Sequence, residues 1–297
     1  MELCLGTVQL GMDYGIVGQK RPSIKDSLEI LDYATQNGIK TIDTANSYGI
    51  AEDVVGEFLK ANTIRRNKLE IISKLKPNVL DNIEESKYYE VIKDNLMVTL
   101  RRLGTEYLDG YLLHSSRYIF NDAIIEALYK VKKDGFVKQI GVSVYEVNEA
   151  KKCIERPNID FMQLPYSIFD QRMLHEGIFD LAKSSNITIH SRSAFIQGLI
   201  SMKEDDVPEF LSKARPIISK IDKLCEKNNI SRIELAISFV KRQSAISRLV
   251  FGVDNLSQLK EDIELFKKNI SDKLIDEISK EFVDVEPDIV MPSLWKK

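Results

Sequence analysis

The chain predicts an α/β fold, a single (β/α)8 barrel of the TIM type with extra helices at its C-terminal end. Two observations lead there. Eight short apolar runs alternate with amphipathic helical segments along all 297 residues, without a linker or composition break. Chemically capable polar residues stand just past several of those runs, at the strand ends where barrel active sites lie. A doubly wound sheet is the structural rival, and the count of eight strand–helix units favours the barrel.

The elements follow in order. ELCLG (2–6) is the first strand, followed by the polar loop GMDYGIVGQKRP. SIKDSLEILDYATQNG has helical periodicity, a Ser start and an Asn-Gly stop. KTIDT is the second strand and AEDVVGEFLK the next helix; LEIIS is the third strand. YYEVIKDNLMVTLRRLG and NDAIIEALYKVKKDG flank the fourth strand, LDGYLL, and both end in Gly, as helices often do. KQIGVS, IDFMQLP and ITIHSR are strands five to seven, separated by the helices NEAKKCIER and GIFDLAKSSN. ISMKEDDVPEFLSKARP is the longest irregular stretch, read as a mobile loop over the barrel mouth or a plain surface connection. Two helices, RPIISKIDKLCEKNN and SRIELAISFVKRQ, precede the eighth strand, SRLVFG; NLSQLKEDIELFKK and SDKLIDEISKEF follow it. One barrel domain over 1–297 is expected.

Composition narrows the function. A net charge of −3 with no basic stripe argues against nucleic acid as the main partner. No apolar run approaches the ~20 residues needed to cross a bilayer, and MELCLGTVQLG lacks the pattern of a signal peptide. Cys4, Cys153 and Cys225 are odd in number and widely spaced, as expected of reduced thiols in a cytoplasmic protein. His114, His175 and His190 lie on different elements without metal-ligand spacing, so no metal is expected.

Asp43, Tyr48, Lys74 and His114 are the candidate catalytic residues. They follow strands two, three and four at one end, so parallel strands would bring them together. A phenol is a weak acid in water, and a neighbouring ammonium lowers its pKa. Lys74 supplies the ammonium and Asp43 pairs with it. Tyr48 is then placed to give a proton to a carbonyl oxygen as hydride reaches the carbon, and His114 to hydrogen-bond that oxygen. Each residue alone has an ordinary structural explanation. The set of four, in this order, points to catalysis.

The motifs LGTVQLG, DTANSYGIAE, ISK, YLLHS, IGVS, QLPYS, QGLI and FGVDNLSQLKED run in order along nearly the whole chain, which resembles the aldo-keto reductases. The resemblance implies a barrel that binds NADP(H), with NAD(H) not excluded, across its strand ends, and Tyr48 as proton donor. It also implies that Ser143 and Gln163 hold the nicotinamide carboxamide, that Gly6 and Thr7 line the turn beside the cofactor with Asp43, and that Gly252, Val253 and Gln258 flank the adenosine phosphate. Barrels often bind phosphate after strands seven and eight, and helix N-termini suit anions. No G-x-G-x-x-G or P-loop occurs, so the cofactor is implied by the resemblance alone.

Three departures stand out. Val144 replaces a common Asn after GVS. Arg192 takes the place of an aromatic that stacks on the nicotinamide. At the 2′-phosphate position Val253, Asp254 and Gln258 are not basic, leaving Lys260 or backbone N–H groups to compensate. Few large aromatics are expected at the mouth, which favours a polar, sugar-like carbonyl; Arg192 and Arg117 suit an anionic group. The tail's Trp295 either closes over the pocket or packs elsewhere. The same site would serve an NAD(P)+-dependent aldose or alcohol dehydrogenase. The complete set of four residues and the lack of a long N-terminal extension argue against a cofactor-binding regulatory subunit.

Overall fold

Eight parallel strands close on themselves in chain order: β1 Glu2–Gly6, β2 Thr41–Asp43, β3 Glu70–Leu75, β4 Leu108–Leu113, β5 Val137–Ser143, β6 Phe161–Pro165, β7 Thr188–Arg192 and β8 Ile246–Phe251. The computed structural model describes residues 1–61 and 63–295. The closing pair sets Glu2 opposite Arg248 and Leu5 opposite Phe251. Each apolar run expected to be a strand is one. Helices on the outer side cover the barrel, including Ile24–Gln36, Ala51–Lys60, Tyr88–Leu103 and Asp122–Lys133. Arg215–Asn228 and Arg232–Lys241 lie between β7 and β8, and Asp272–Ser279 is an added C-terminal helix.

Local chemistry sets the helix ends. Ser23, Asn121 and Ser231 each accept a hydrogen bond from the backbone N–H three residues on. Gly104 ends Tyr88–Leu103 in the left-handed region, at φ 62°.

The period of two along each strand sorts side chains between two cores. The outward set, with Ile71, Tyr111, Leu113 and Ile140, packs under helix residues such as Ile30, Leu96 and Leu128, all fully buried. The inward set forms tiers. Low in the barrel, Arg248 hydrogen-bonds Thr41, His190 and Glu70. Ile72, Leu112 and Phe161 form a separate apolar cluster above them. One further inward step along β2, β3, β5, β6 and β7 brings Asp43, Lys74, Ser143, Gln163 and Arg192 to the upper rim. The site is therefore built by strand parity.

Candidate active site

Asp43 and Lys74 are almost wholly buried at the upper end of the barrel. The Lys74 ammonium donates to Asp43 Oδ1 at 2.5 Å and to the Thr44 carbonyl at 3.0 Å. Gln163 donates from Nε2 to the other carboxylate oxygen of Asp43 at 2.5 Å. The carboxylate is thus held from two sides, by β3 and by β6. Tyr48 comes from the loop after β2; the Lys74 nitrogen lies 4.9 Å from its ring centre. His114, one residue past β4, meets Tyr48 edge to face at 5.8 Å between ring centres. The structure brings together all four residues expected to act.

Two glycines explain how the Tyr48 loop reaches this place. A Cβ on Gly11 would lie 1.9 Å from the Tyr48 carbonyl oxygen, and one on Gly49 would lie 2.3 Å from the Gly11 carbonyl oxygen. Gly49 also has φ 57°, which an L side chain rarely adopts. The loops after β1 and β2 are pressed together backbone to backbone, and only glycines allow that contact.

Burial sets the charge states. Burial pushes the Tyr48 phenol up; Lys74 pulls it down, Asp43 pushes it up, and the phenol remains above its ordinary value. The sequence expectation of a lowered phenol is corrected here, because burial outweighs the ammonium. For Lys74, burial works downward, but Asp43 and Tyr48 together hold the ammonium above its ordinary value. Burial first, then Lys74 and Arg192, pushes His114 down to about 3, so its imidazole is neutral near pH 7. Its Nδ1 lies 3.3 Å from Ser47 Oγ, leaving Nε2 for a ligand.

Asp43, Tyr48 and His114 face a cavity of about 1190 Å³, with Lys74 buried behind them. That exceeds the roughly 300–1,000 Å³ typical of a single drug-sized ligand. Gly6, Thr7, Asp43, Ser143, Gln163, Arg192, Gly252 and Gln258 all line it. Val253 does not; its side chain is buried. Gln9 Oε1 is buried without a hydrogen-bond partner, and its amide occupies the space a side chain on Gly252 would take. An open acceptor beside a bare backbone, with polar side chains at both ends, fits a long polar ligand such as a dinucleotide.

Several sequence expectations are relocated. Arg192 stacks on Tyr145 at 4.2 Å from the ring centre and donates to the Val144 carbonyl at 2.9 Å. Arg117 leaves the site: it is half exposed, bound to both oxygens of Asp81 and absent from the cavity wall. Lys260 lies over Tyr33, not in the wall. Trp295 packs near Phe210, 6.3 Å between ring centres, while Pro292 and Ser293 of the tail reach the cavity. The stretch read as a mobile loop folds into short 3-10 turns, and its Ser201, Met202, Lys203 and Asp206 help wall the mouth.

Sequence reasoning missed Tyr14, Tyr145, Gln9, Glu261 and Asp262 in the lining. Tyr145 directly follows GVSV, and Asp262 sits three residues past Leu259 on the apolar stripe of its helix, a placement visible in the sequence. Among the described residues, no cluster of three or more His, Cys, Asp or Glu could hold a metal, and no helix is long and apolar enough to cross a membrane.

Comparison with known proteins places this geometry. The model of the Aldo/keto reductase family matches residues 2–281. Oxidoreductase YqkF of Bacillus subtilis is 28% identical over 279 residues, covering 89% of this chain and 86% of the relative. A protein of Escherichia coli named NADH-specific methylglyoxal reductase is 25% identical over 264 residues, covering 79% and 81%. The holo structure of the aldo-keto reductase AKR11C1 from Bacillus halodurans superimposes with a TM-score of 0.76 at 24% identity, covering 94% of this chain and 91% of that one, and shares its fold. The chain belongs to the aldo/keto reductase family, and it is an oxidoreductase of the kind that acts on carbonyl compounds with a nicotinamide cofactor.

Proposed function

We propose that this enzyme reduces a small, polar aldehyde or ketone, with Tyr48 as the proton donor. The observation that supports this most is the protonated, buried phenol of Tyr48 beside the Lys74–Asp43 pair and a neutral His114. When bound, the nicotinamide supplies hydride to the carbonyl carbon. The protein's part concerns the oxygen. As negative charge grows there, the Tyr48 O–H bond breaks and its proton passes to the oxygen. The phenolate left behind is stabilised by the Lys74 ammonium, which Asp43 keeps charged and in place. His114, uncharged, hydrogen-bonds the same oxygen without competing as an acid. Tyr48 regains its proton from water.

Ser143 and Gln163 suit the nicotinamide carboxamide, and Gly6, Thr7, Gly252 and Gln258 suit the rest of the dinucleotide. Gln163 already holds Asp43, so it would tie the cofactor to the catalytic pair. The cavity wall holds more aromatics than the sequence suggested, Tyr14, Tyr145, Phe195 and Phe251 among them, so the support for a hydrophilic substrate comes from the Arg192 guanidinium and the hydroxyls of Tyr14 and Tyr145. The Escherichia coli relative's name, methylglyoxal reductase, agrees with a small polar carbonyl. Three free, buried thiols fit a reducing compartment such as the cytoplasm. The same groups run the reaction backward on an alcohol, and the ratio of reduced to oxidised nucleotide sets the direction.

The test is oxidation of NADH and of NADPH by the purified protein against 2-oxoaldehydes, aldoses, sugar phosphates and aromatic aldehydes. The reading expects highest kcat/KM with the small polar carbonyls. Turnover of none of these, or preference for uncharged aromatic aldehydes, would defeat it.

A further inference from the structure

Once charges are paired off, the end of the cavity beside Tyr48 is left with an uncompensated cation. Asp43 cancels Lys74; burial keeps the Tyr48 phenol protonated and, with Lys74 and Arg192, keeps His114 neutral. Arg192, the last residue of β7, lines the same wall and is half-buried. Its guanidinium donates to the Val144 carbonyl at 2.9 Å and to Ser193 Oγ at 3.2 Å, neither of them charged, and its buried Nε–H has no acceptor. Each terminal nitrogen keeps a second N–H. Among the described residues no carboxylate pairs with this side chain. The acids Asp206, Asp254, Glu261 and Asp262 line the wall after β7 and β8, and none bonds it. Lys203, the second cation in the wall, is exposed to water farther along the connection after β7. A half-buried guanidinium without a counter-ion costs free energy that an anionic ligand would recover.

Resting on the proposed reduction at Tyr48, we infer that the substrate carries a carboxylate or phosphate besides its carbonyl, and that Arg192 receives that group. The anion supplies the counter-charge the wall lacks. Paired oxygens of a carboxylate or phosphate match the planar guanidinium fork, which an ammonium does not offer. Tyr145 packs on the guanidinium face, 4.2 Å from ring centre, and so fixes the plane of the fork. Tyr14 adds a neutral donor to the same wall: burial and then Tyr48 push its phenol up to about 12, against the pull of Arg192. Arg192 takes no part in the chemical step. It positions the substrate and selects for its charge.

Steady-state kinetics on matched pairs of carbonyls test this: succinic semialdehyde against its methyl ester, and glyceraldehyde phosphate against glyceraldehyde, each with NADH and with NADPH. The wild type is expected to favour the charged member of at least one pair by about ten-fold or more in kcat/KM, and the pair that shows it tells carboxylate from phosphate. The ratio is taken within one protein, so a general loss of activity cancels. Arg192→Met is expected to bring the ratio to within about two-fold of unity, mainly through the KM of the charged member, and Arg192→Lys, which keeps the charge without the fork, to retain part of it. Succinate and inorganic phosphate, as inhibitors of ester and glyceraldehyde reduction by the wild type, give a reading that needs no variant: competition by at least one is expected. Equal kcat/KM within both pairs, a preference that survives in Arg192→Met, or no competition by either anion overturns the assignment of Arg192 and leaves the reductase reading standing. Turnover of none of these carbonyls with either nucleotide overturns both.

Discussion

Lys74 is buried as an ion, which is tolerable only because Asp43 and the Thr44 carbonyl accept its protons. Removing one partner should hurt more than removing both. Lys74→Met leaves Asp43 buried with only Gln163 against it, so a loss of about 3–5 kcal/mol in denaturant unfolding is expected, with kcat down ~10²–10⁴-fold. The double variant Lys74→Met/Asp43→Asn should regain part of the stability and none of the turnover. If the double variant is the less stable of the two, the pair is not acting as a charge pair. At this scale the site was legible in the sequence, because a lysine or aspartate at the inward parity of a strand end has few structural reasons to be there. Arg117 shows the limit. Its partner Asp81 lies 36 residues away, in a loop whose path no local pattern fixes.

The elements place Tyr48, the proposed proton donor, which of the four stands farthest from its strand. Its loop is positioned by contact with the loop after β1, through Gly11 and Gly49. Gly49→Ala would set a Cβ against the Gly11 carbonyl and force a strained φ, so the loops must part. A cost of about 1–3 kcal/mol in stability and a fall in kcat larger than the rise in KM are expected. Unchanged kcat would mean the loop tolerates displacement and Tyr48 is positioned otherwise. The eight strands and most helix ends were readable from apolar period, caps and terminal glycines. The pairing of two glycines 38 residues apart was not, since each alone is an ordinary turn residue. Asp262 lay within reach of the same reading: an acid on the apolar stripe between Leu259 and Phe266 conflicts with the pattern of its helix, and it lines the cavity.

At the scale of the molecule, the barrel gathers charge at its upper rim and accepts the cost of burying it. Asp262 makes that cost measurable. Burial, then Glu261, raises its carboxyl from 3.8 to about 7. An acid so raised favours its protonated form in the fold. Its contribution to stability is whole below pH 3.8 and is lost as the pH climbs through about 7. Asp262→Asn, neutral throughout, should therefore gain on the wild type by on the order of 2 kcal/mol between acid and mildly alkaline pH. A difference that does not vary with pH would contradict this. The central claim is that one phenol, delivered to the strand ends of a closed barrel, protonates the carbonyl oxygen. It is tested most directly by kcat and nucleotide Kd measured together for Tyr48→Phe. The account predicts kcat at least ~10²-fold lower with Kd within about two-fold of wild type. Undiminished turnover with intact nucleotide binding would contradict it.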